Sequence, residues 1–355
     1  MINTEVNAIR LEEEFYGRYH YFSYSAINRL LFSPKLFYNH YILGEREDKL
    51  ESHLIEGKVI HCLLLDRDKF EEQFALSPDK LPTDSVKTVI DRVYNYHMQQ
   101  VKEGFSVETA TLDYYADIIL QTLVEVNLHQ ALTDDKKADK EGVQKTGDQK
   151  RLEKVITDQT ASYFEFLKIK EKRDIIDQAT YNKCMDIVSI LEQDPKVRML
   201  LNLDDDGRTT FNEYPLSFES KAHGFGFKGI VDNFSIDFAH RKIYINDLKT
   251  SAKSIDKFPE SVEYYKYNLQ AIMYVRLVSW YIENHFGIDV DGTWTIDLHF
   301  VVIDPYKQVY AYKVSDDTMV RWLDEFSDVL KKVQWHYDNR RYDLPYSLAV
   351  DNLTL

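Results

Sequence analysis

The sequence contains only two cysteines, Cys62 and Cys184, among its 355 residues. Two thiols of one chain cannot build a four-cysteine zinc site or an iron–sulfur cluster, so we expect no iron–sulfur cluster. Both cysteines lie in segments with a helical pattern, which also argues against a disulfide framework. We therefore predict that both are buried, inert thiols.

Long hydrophobic runs are missing as well. A membrane-spanning helix needs about 20 apolar residues, and the longest runs, such as residues 60–65, are far shorter. The first 14 residues are acidic and contain no apolar run, so they do not fit a signal peptide. These absences predict a cytoplasmic protein that does not bind a membrane.

An excess of basic residues is the third absence. Lysine and arginine number 44 against 59 aspartates and glutamates, which gives a net charge of −15. This balance argues against a surface coated with DNA-binding charge. A local basic groove remains compatible with it, and surplus carboxylates can bind metal ions, so composition leaves nucleic-acid binding open.

The composition is that of an ordinary globular protein, 44% hydrophobic and 29% charged. The sequence pattern changes from mainly helical spacing to strands mixed with helices after residue 205. Helical spacing predicts helices at 23–42, 50–66, 83–103, 108–131 and 175–192, and then strands at 211–219, 225–237, 242–249, 294–303 and 308–314 with helices at 260–285 and 316–338. The polar stretch 133–154 predicts a solvated loop.

These patterns predict an α/β (α+β) fold, in which a central mixed β-sheet is flanked by helices and the N-terminal half is largely helical. We place the boundary between a mostly helical part, 1–205, and the sheet-containing part, 206–355. We expect the two parts to pack as one compact unit.

Residues 228–250 read as two strands around a tight turn, with charged residues where the alternation requires apolar ones. If the turn is centred on 239–240, Asp232 lies opposite Asp247, and both share the apolar face with Lys249. Opposite residues have Cβ atoms about 4.5–5.5 Å apart. The alternative is a slipped register with one aspartate at the surface and a salt bridge to the lysine.

Two ionised carboxylates about 5 Å apart repel by roughly 3 kcal/mol at an effective dielectric constant near 20. Such a pair persists if it shares a proton, has a cationic partner or binds a cation. Hard divalent ions prefer oxygen ligands in this arrangement. The hairpin therefore predicts a metal site at Asp232 and Asp247.

Asp232, followed one strand later by Asp247-Leu248-Lys249, resembles the motif of the PD-(D/E)XK nuclease superfamily. The resemblance implies that the two carboxylates and the backbone carbonyl of Leu248 hold one or two Mg²⁺ or Mn²⁺ ions. It also implies that Lys249 orients or polarises the attacking water. Asp247 stands where glutamate is commoner, and the superfamily accepts this shorter acid.

Further segments resemble the RecB-like branch of the superfamily, and most of all the RecE (exonuclease VIII) type. The helix with Gly57 and His61, followed by Phe70 and Phe74, resembles the segment whose histidine binds metal. Glu213 stands on the strand before the hairpin, where the branch commonly carries a glutamate, and is a tentative further ligand. By itself, His61 would more simply be a core histidine with satisfied hydrogen bonds.

Gln270 and Tyr274 resemble the Q-x-x-x-Y helix that follows the catalytic strand in this branch. Because the two residues are four apart, they share one face of a helix. The resemblance implies catalytic roles: the glutamine bonds near Lys249 or a DNA phosphate, and the tyrosine supports it. Taken alone, the pair would be ordinary helix surface or packing.

DNA contacts are predicted at two places. Ser25 and Lys35 belong to a stretch that resembles the opening Ser-x-Ser…Pro helix of the branch. A basic patch with interleaved tyrosines follows the Asp-x-Lys strand and suits contacts to the phosphate backbone; its tentative DNA-binding residues are Lys253, Lys257 and Lys266. A solvated helix start explains the patch equally well.

The resemblance implies a Mg²⁺-dependent deoxyribonuclease that degrades double-stranded DNA from its ends. It further implies 5′-to-3′ resection for recombination in a bacterial or phage-infected cytoplasm, a single-strand annealing protein as partner, and a ring-shaped homo-oligomer. Alternatives are an endonuclease of the same fold acting on branched or foreign DNA, and a catalytically inactive DNA- or protein-binding module. An acidic interaction protein that mimics DNA is the remaining possibility.

Overall fold

The computed structural model describes residues 2–45, 52–137, 143–170, 172–290 and 292–350. The helices are α1 (Ile2–Gly17), α2 (Tyr24–Phe32), α3 (Pro34–Phe37), α4 (Ser52–Leu65), α5 (Phe70–Gln73), α6 (Asp84–Lys102), α7 (Ala116–Glu125), α8 (Gly147–Val155), α9 (Asp158–Ile169), α10 (Gln178–Gln193), α11 (Pro195–Leu201), α12 (Phe258–Tyr265), α13 (Tyr267–Phe286), α14 (Asp316–Asn339) and α15 (Tyr346–Ala349). The strands are β1 (Tyr21–Phe22), β2 (Phe74–Leu76), β3 (Asp174–Ile176), β4 (Thr209–Ser220), β5 (Phe225–Asp237), β6 (Lys242–Thr250), β7 (Thr295–Ile303) and β8 (Val309–Lys313).

The main sheet is mixed. Its strand order is β1-β5-β6-β7-β8, with β4 also paired to β5. The pairs β1–β5 and β6–β7 are parallel, whereas β4–β5, β5–β6 and β7–β8 are antiparallel. Helix α13 packs against β4 to β7, and α11 packs against β5 and β6. The predicted α/β architecture, a central mixed sheet flanked by helices after a largely helical N-terminal half, is therefore confirmed.

Contacts divide the chain at places other than the predicted boundary at residues 205 and 206. One unit comprises Met1–Arg67 together with Asp186–Leu355, and the other is Asp68–Met185. The N-terminal residues belong with the sheet because β1 pairs with β5 and α2 packs against α13. Such long-range contacts leave no trace in local periodicity.

The unit Asp68–Met185 has a helical core of its own. Buried side chains from α6, α7 and α9, including Val89, Ile119 and Phe164, form one hydrophobic cluster. Strands β2 and β3 form a short parallel pair. Within the predicted loop 133–154, residues 138–142 lie outside the described part, but the loop prediction is wrong from Gly147 on, where α8 begins. A Thr146–Gln149 capping box starts that helix.

The register of the β5–β6 hairpin agrees with the sequence prediction. Phe234 pairs with Ile245 and Ile236 pairs with Ile243, and all four side chains are fully buried in the main core. The regular alternation of apolar residues fixes this register, because a slip by one residue would turn every side chain to the opposite face.

On the opposite face, three asparagines form a ladder across neighbouring strands. Asn233 Nδ2 donates to Asn212 Oδ1 (2.7 Å), and Asn246 Nδ2 donates to Asn233 Oδ1 (2.8 Å). The same amide nitrogens reach the last carbonyls of α11, at Leu201 and Leu200. Because buried amides are costly when unpaired, this ladder joins β4, β5, β6 and the end of α11 in a single register.

The predicted helix 260–285 is two helices. Lys266 adopts the left-handed conformation (φ 61°), ends α12 and caps α13. A single left-handed residue hardly alters the spacing of apolar residues along the sequence, so the pattern did not reveal the break at Lys266. None of the helices in the described part of the chain combines the length and apolarity that a membrane crossing requires.

Gly226 lets β1 lie against β5 at very short range. A Cβ atom there would lie 2.5 Å from Tyr21 Cδ1 and 2.6 Å from the Phe218 carbonyl oxygen. We expect Gly226→Ala to lower the free energy of unfolding by about 2–3 kcal/mol, because backbone has to move. Urea denaturation measures the change. Gly17→Ala, where no atom lies within 4 Å of the new Cβ, is the control, and equal stability of the two variants would contradict the prediction.

Candidate metal centre

Three acidic residues lie in a row across the sheet. The pairings on either side of Glu213 place it opposite Asp232. The β5–β6 pairing ends one residue earlier, at Asn233 and Asn246, and Asp247 lies close enough to Asp232 for their charges to interact. Asp232 and Asp247 are buried, and the Glu213 side chain is about a quarter exposed. Neighbouring strands are about 4.8 Å apart, so the row concentrates negative charge at one place in the sheet.

His61, on α4, lies against this row. Its Nδ1 is 3.1 Å from Glu213 Oε1 and 3.7 Å from Asp232 Oδ2, and its Nε2 is 3.0 Å from the Leu248 carbonyl oxygen. His61, Glu213 and Asp232 each offer one ligand atom, and these three atoms lie within 4.8 Å of one another, so they could hold a metal ion. The structure thus brings together the predicted ligands from three separate parts of the sequence.

Asp247 is the most deeply buried of the three carboxylates. Its Oδ2 lies 2.6 Å from Lys249 Nζ, an ion pair across consecutive residues of the same face. Both Asp247 carboxylate oxygens are nevertheless buried without an aligned hydrogen-bond donor in the described part of the chain. The Asp232 carboxylate differs, since its Oδ2 accepts a 2.8 Å bond from the Leu248 amide.

The carboxylates favour a protonated histidine. Burial alone would lower the pKa of His61, but the charges of Asp232 and Glu213 outweigh it and raise the pKa to about 9. The imidazolium therefore supplies the positive charge that the carboxylate row requires. A divalent cation held by the same groups would take over that role and displace the proton.

Asp247 and Lys249 stabilise each other's charge. Burial raises the pKa of the Asp247 carboxyl, and the Lys249 ammonium opposes part of the rise. For Lys249, burial lowers the pKa, but the carboxylates of Asp247 and Asp232 outweigh it and raise the pKa. The lysine consequently stays protonated and keeps N–H donors beside the carboxylate row. Its Nζ also lies 4.9 Å from the centre of the Tyr267 ring.

The backbone at Glu213 is strained. Its φ of 43° is left-handed, a conformation that costs a non-glycine residue about 1–3 kcal/mol, and the ladder between β4 and β5 is interrupted there. Strain of this kind persists where the surrounding structure imposes it, often at functional sites. Here it accompanies the side chain that contacts His61.

Gln270 and Tyr274 meet on one face of α13, as predicted. Gln270 Nε2 donates a 2.9 Å hydrogen bond to the Tyr274 hydroxyl. Burial, followed by the charges of Asp232 and Asp247, raises the pKa of Tyr274 well above its ordinary value. The hydroxyl therefore keeps its proton and can donate it to a group near the carboxylates.

A cleft of about 560 Å³ shares Tyr274 with this group of residues, since Tyr274 lines the cleft and is acted on by the charges of Asp232 and Asp247. Strands β4 and β5 contribute to its lining, among others, the paired residues Ser217 and Lys228. Further lining residues are Ser23, Tyr24 and Ser25 at the start of α2 and Met273 of α13.

The residues predicted to contact DNA lie in different surroundings. Ser25 lines the cleft, and the Nζ of exposed Lys35 lies 5.5 Å from the centre of the Tyr38 ring. Lys253 and Lys257 both contact the Glu260 carboxylate, at 3.2 and 3.5 Å. Lys266, the left-handed residue between α12 and α13, lines a separate cavity with Phe258 and Trp322. Their DNA-binding roles stay predictions.

Two side chains near the site were missed from the sequence. Lys228 lines the cleft, and the sequence already shows that it lies only four residues before Asp232 on β5. Tyr24 lines the cleft as well, and its hydroxyl donates to the Tyr265 carbonyl. The position of Tyr24 depends on the packing of α2 against the sheet, for which the sequence carries no local signal.

The donor set fits a hard divalent ion. Carboxylate and carbonyl oxygens are the ligands that Mg²⁺ and Mn²⁺ prefer, with an imidazole tolerated beside them. The buried Asp247 oxygens without a hydrogen-bond donor are what a cation would satisfy. The residues that could hold the ion are His61, Glu213, Asp232, Asp247 and the Leu248 carbonyl.

Comparisons with known proteins include a structural likeness. A scan against protein-family models and a search of curated proteins both give no match. Among solved structures, the chain is similar to the crystal structure of a "Putative exonuclease" from Eubacterium rectale, with a TM-score of 0.43 and 11% sequence identity. The alignment covers 97% of this chain and 91% of that one. A likeness of this degree assigns neither a family nor a function.

Proposed function

We propose that the protein is a divalent-metal-dependent deoxyribonuclease with a PD-(D/E)XK core of the RecB-like branch. The observation that carries the proposal is the convergence of an imidazole and two carboxylates, those of His61, Glu213 and Asp232. A third carboxylate, Asp247, is buried close by and has the Lys249 ammonium 2.6 Å away. Anionic ligands for a metal and a fixed cation beside them suit hydrolysis of a phosphodiester.

When bound, a Mg²⁺ or Mn²⁺ ion would activate a water molecule and neutralise charge on the phosphoryl oxygens. His61, Glu213, Asp232, Asp247 and the Leu248 carbonyl would hold one or two such ions. Lys249 stays protonated and offers N–H donors to a phosphate oxygen or water beside Asp247. Tyr274, whose hydroxyl oxygen accepts a bond from Gln270, offers its proton at the same place.

The cleft favours contacts with the sugar–phosphate backbone. Lys228 adds a positive charge to its lining, and Ser23 and Ser25 add hydroxyls. The tyrosines after β6 add exposed rings, since Tyr264 is 78% and Tyr265 47% exposed. Such groups bind phosphates and stacked bases with little sequence preference.

The finer proposal is an exonuclease of the RecE type that resects double-stranded DNA 5′ to 3′ in the cytoplasm. It includes a ring-shaped homo-oligomer around DNA and a single-strand annealing protein as partner. The motifs quoted above support these points by resemblance.

The test is digestion of end-labelled linear duplex DNA with Mg²⁺, with Mn²⁺ and with EDTA. We expect cleavage only with a metal, and we expect Lys249→Met to lower its rate by about 100- to 1,000-fold. Lys102→Met, which removes an exposed lysine in the last turn of α6, is the control. Circular dichroism checks that both variants fold, because Lys249→Met leaves Asp247 without its partner.

The same assay separates the alternatives. An exonuclease degrades the linear duplex and leaves a covalently closed circle intact, whereas an endonuclease cuts both. A binding module retains DNA on a gel without cleaving it. Absence of metal-dependent cleavage of linear, circular and branched DNA by the folded wild-type protein would refute the proposed activity.

A further inference from the structure

A second cavity, of about 490 Å³, lies at the far end of the β4–β5 hairpin. The hairpin turn supplies His223, α13 supplies Arg276, and α14 supplies Lys331, Gln334 and Asp338. From Phe225, the first residue of β5 after this turn, to Asp232 the strand runs for seven residue steps, which amounts to roughly 23 Å. This cavity is therefore distinct from the carboxylate row and its cleft.

Arg276 is a charged side chain without a counter-ion. Its guanidinium carbon lies 5.4 Å from the centre of the Phe326 ring, and its Nε is buried with no hydrogen-bond acceptor in the described part of the chain. Burial lowers the pKa of Arg276, and no carboxylate opposes this effect. Burying an unpaired guanidinium is costly, so this side chain is suited to an anion that enters from solvent.

The other charges around the cavity do not neutralise Arg276. The Asp338 carboxylate accepts a 2.8 Å bond from Gln334 Nε2, and no ion pair within 4 Å joins it to Arg276 among the described residues. Lys331 brings a second positive charge, although its Nζ also contacts Asp328. Burial lowers the pKa of His223 and the charge of Arg276 lowers it further, so the imidazole adds no charge near neutral pH.

Gln334 contributes a hydrogen-bond acceptor that has no donor among the described residues. Its Nε2 donates to the His223 carbonyl oxygen (3.0 Å) and to Asp338, which fixes the orientation of the amide. Its Oε1 is buried without a donor in the described part of the chain. The cavity thus contains the Arg276 guanidinium, whose Nε lacks a hydrogen-bond acceptor, and the Gln334 amide oxygen, which lacks a donor, among the described residues.

We propose that this cavity binds a phosphate group that carries a hydroxyl, with its anionic oxygens on Arg276 and Lys331 and its P–OH on Gln334 Oε1. Arginine binds phosphate through parallel N–H donors. Inorganic phosphate near neutral pH always carries at least one hydrogen, whereas sulfate carries none. A backbone phosphodiester also lacks that hydrogen, so the ligand is inorganic phosphate or the monoanion of a terminal phosphate such as that of a mononucleotide, which carries the hydrogen below its second pKa of about 6.

The first experiment is thermal unfolding of the full chain in EDTA, with 10 mM sodium phosphate or with sodium sulfate at the same ionic strength. Both anions stabilise proteins weakly by exclusion from the surface, so sulfate corrects for that effect. For a Kd near 1 mM we expect phosphate to raise Tm by about 2 °C more than sulfate. Equal shifts with the two anions would overturn the proposal.

Variants assign the shift to this cavity. Arg276→Met should abolish the phosphate-specific shift, and Arg321→Met, which removes an exposed arginine of α14, should leave it unchanged. If Arg276→Met does not fold, Gln334→Leu serves instead and should remove the preference for phosphate over sulfate. A phosphate-specific shift that survives in the folded variants would place the ligand elsewhere and refute the site.

Adenosine 5′-monophosphate and adenosine distinguish the two sources of phosphate. An Arg276-dependent shift with the nucleotide but not with adenosine identifies a terminal phosphate, and a shift with inorganic phosphate alone identifies the free anion. If neither inorganic phosphate nor adenosine 5′-monophosphate gives an Arg276-dependent shift, the proposal is wrong. None of these readouts requires metal or DNA cleavage, so they stand independently of the proposed nuclease activity.

Discussion

Asp247→Asn should lower the rate of metal-dependent DNA cleavage on the order of 1,000-fold. The substitution keeps the shape of the side chain but removes the negative charge of a buried carboxylate whose Oδ1 has no hydrogen-bond donor in the described part of the chain and whose Oδ2 contacts Lys249. It also replaces one oxygen by an NH₂ group beside the Lys249 ammonium, where a ligand for a cation is needed. Initial rates on end-labelled linear duplex measure the effect.

Metal binding gives a second readout of the same change. Mg²⁺ or Mn²⁺ should raise the Tm of the wild type and have a much smaller effect on Asp247→Asn, because anything that binds only the native state stabilises it. Asp237→Asn is the matched control, since Asp237 ends the neighbouring strand β5 and bonds His240 at the hairpin turn. Wild-type cleavage by a folded Asp247→Asn protein would contradict the proposed role.

In EDTA, the wild type should lose on the order of 3 kcal/mol of unfolding free energy between pH 6.5 and about 9. His61 has a folded-state pKa of about 9 against an ordinary value of 6.5. A pKa raised by folding stabilises the native state fully below the unfolded pKa, and this stability is lost as the pH rises through the folded pKa. With a side chain only 22% exposed, the ion pairs are little screened by solvent.

Urea denaturation at pH 6 and pH 9.5 tests this dependence. The difference in stability between wild type and His61→Gln should shrink over that range, because a glutamine at position 61 cannot take up the proton. His240→Gln removes a histidine that is 79% exposed and should leave the pH profile close to that of the wild type. A constant difference between wild type and His61→Gln would show that the imidazolium does not stabilise the carboxylate row.

The part of the site that could be predicted from the sequence pattern lies on β-strands. Alternation with a period of two gave the register of β5 and β6 and thereby placed Asp232 beside Asp247. Resemblance to known motifs added His61 and Glu213, and the structure brings both to the row. Patterns of this kind are informative because burial of one face constrains every second residue.

Other features depend on contacts that a linear pattern does not contain. The left-handed conformations of Glu213 and Lys266 belong to single residues and hardly alter the periodicity on either side. The assignment of the first 67 residues to the sheet unit depends on the pairing of β1 with β5. The capping box at Thr146 was readable from the sequence, but its charged surroundings favoured the loop interpretation.

The asparagine ladder limits how this sequence can change in length. One residue gained or lost between Asn233 and Asp237 would turn Asp232 away from Asp247 and, at the same time, unpair two buried amides. The exposed turn at 239–241 tolerates insertions and deletions, because it lies beyond the last paired residues. Relatives that keep the chemistry should therefore differ in the size of this turn and retain the number of residues between each acid and the turn.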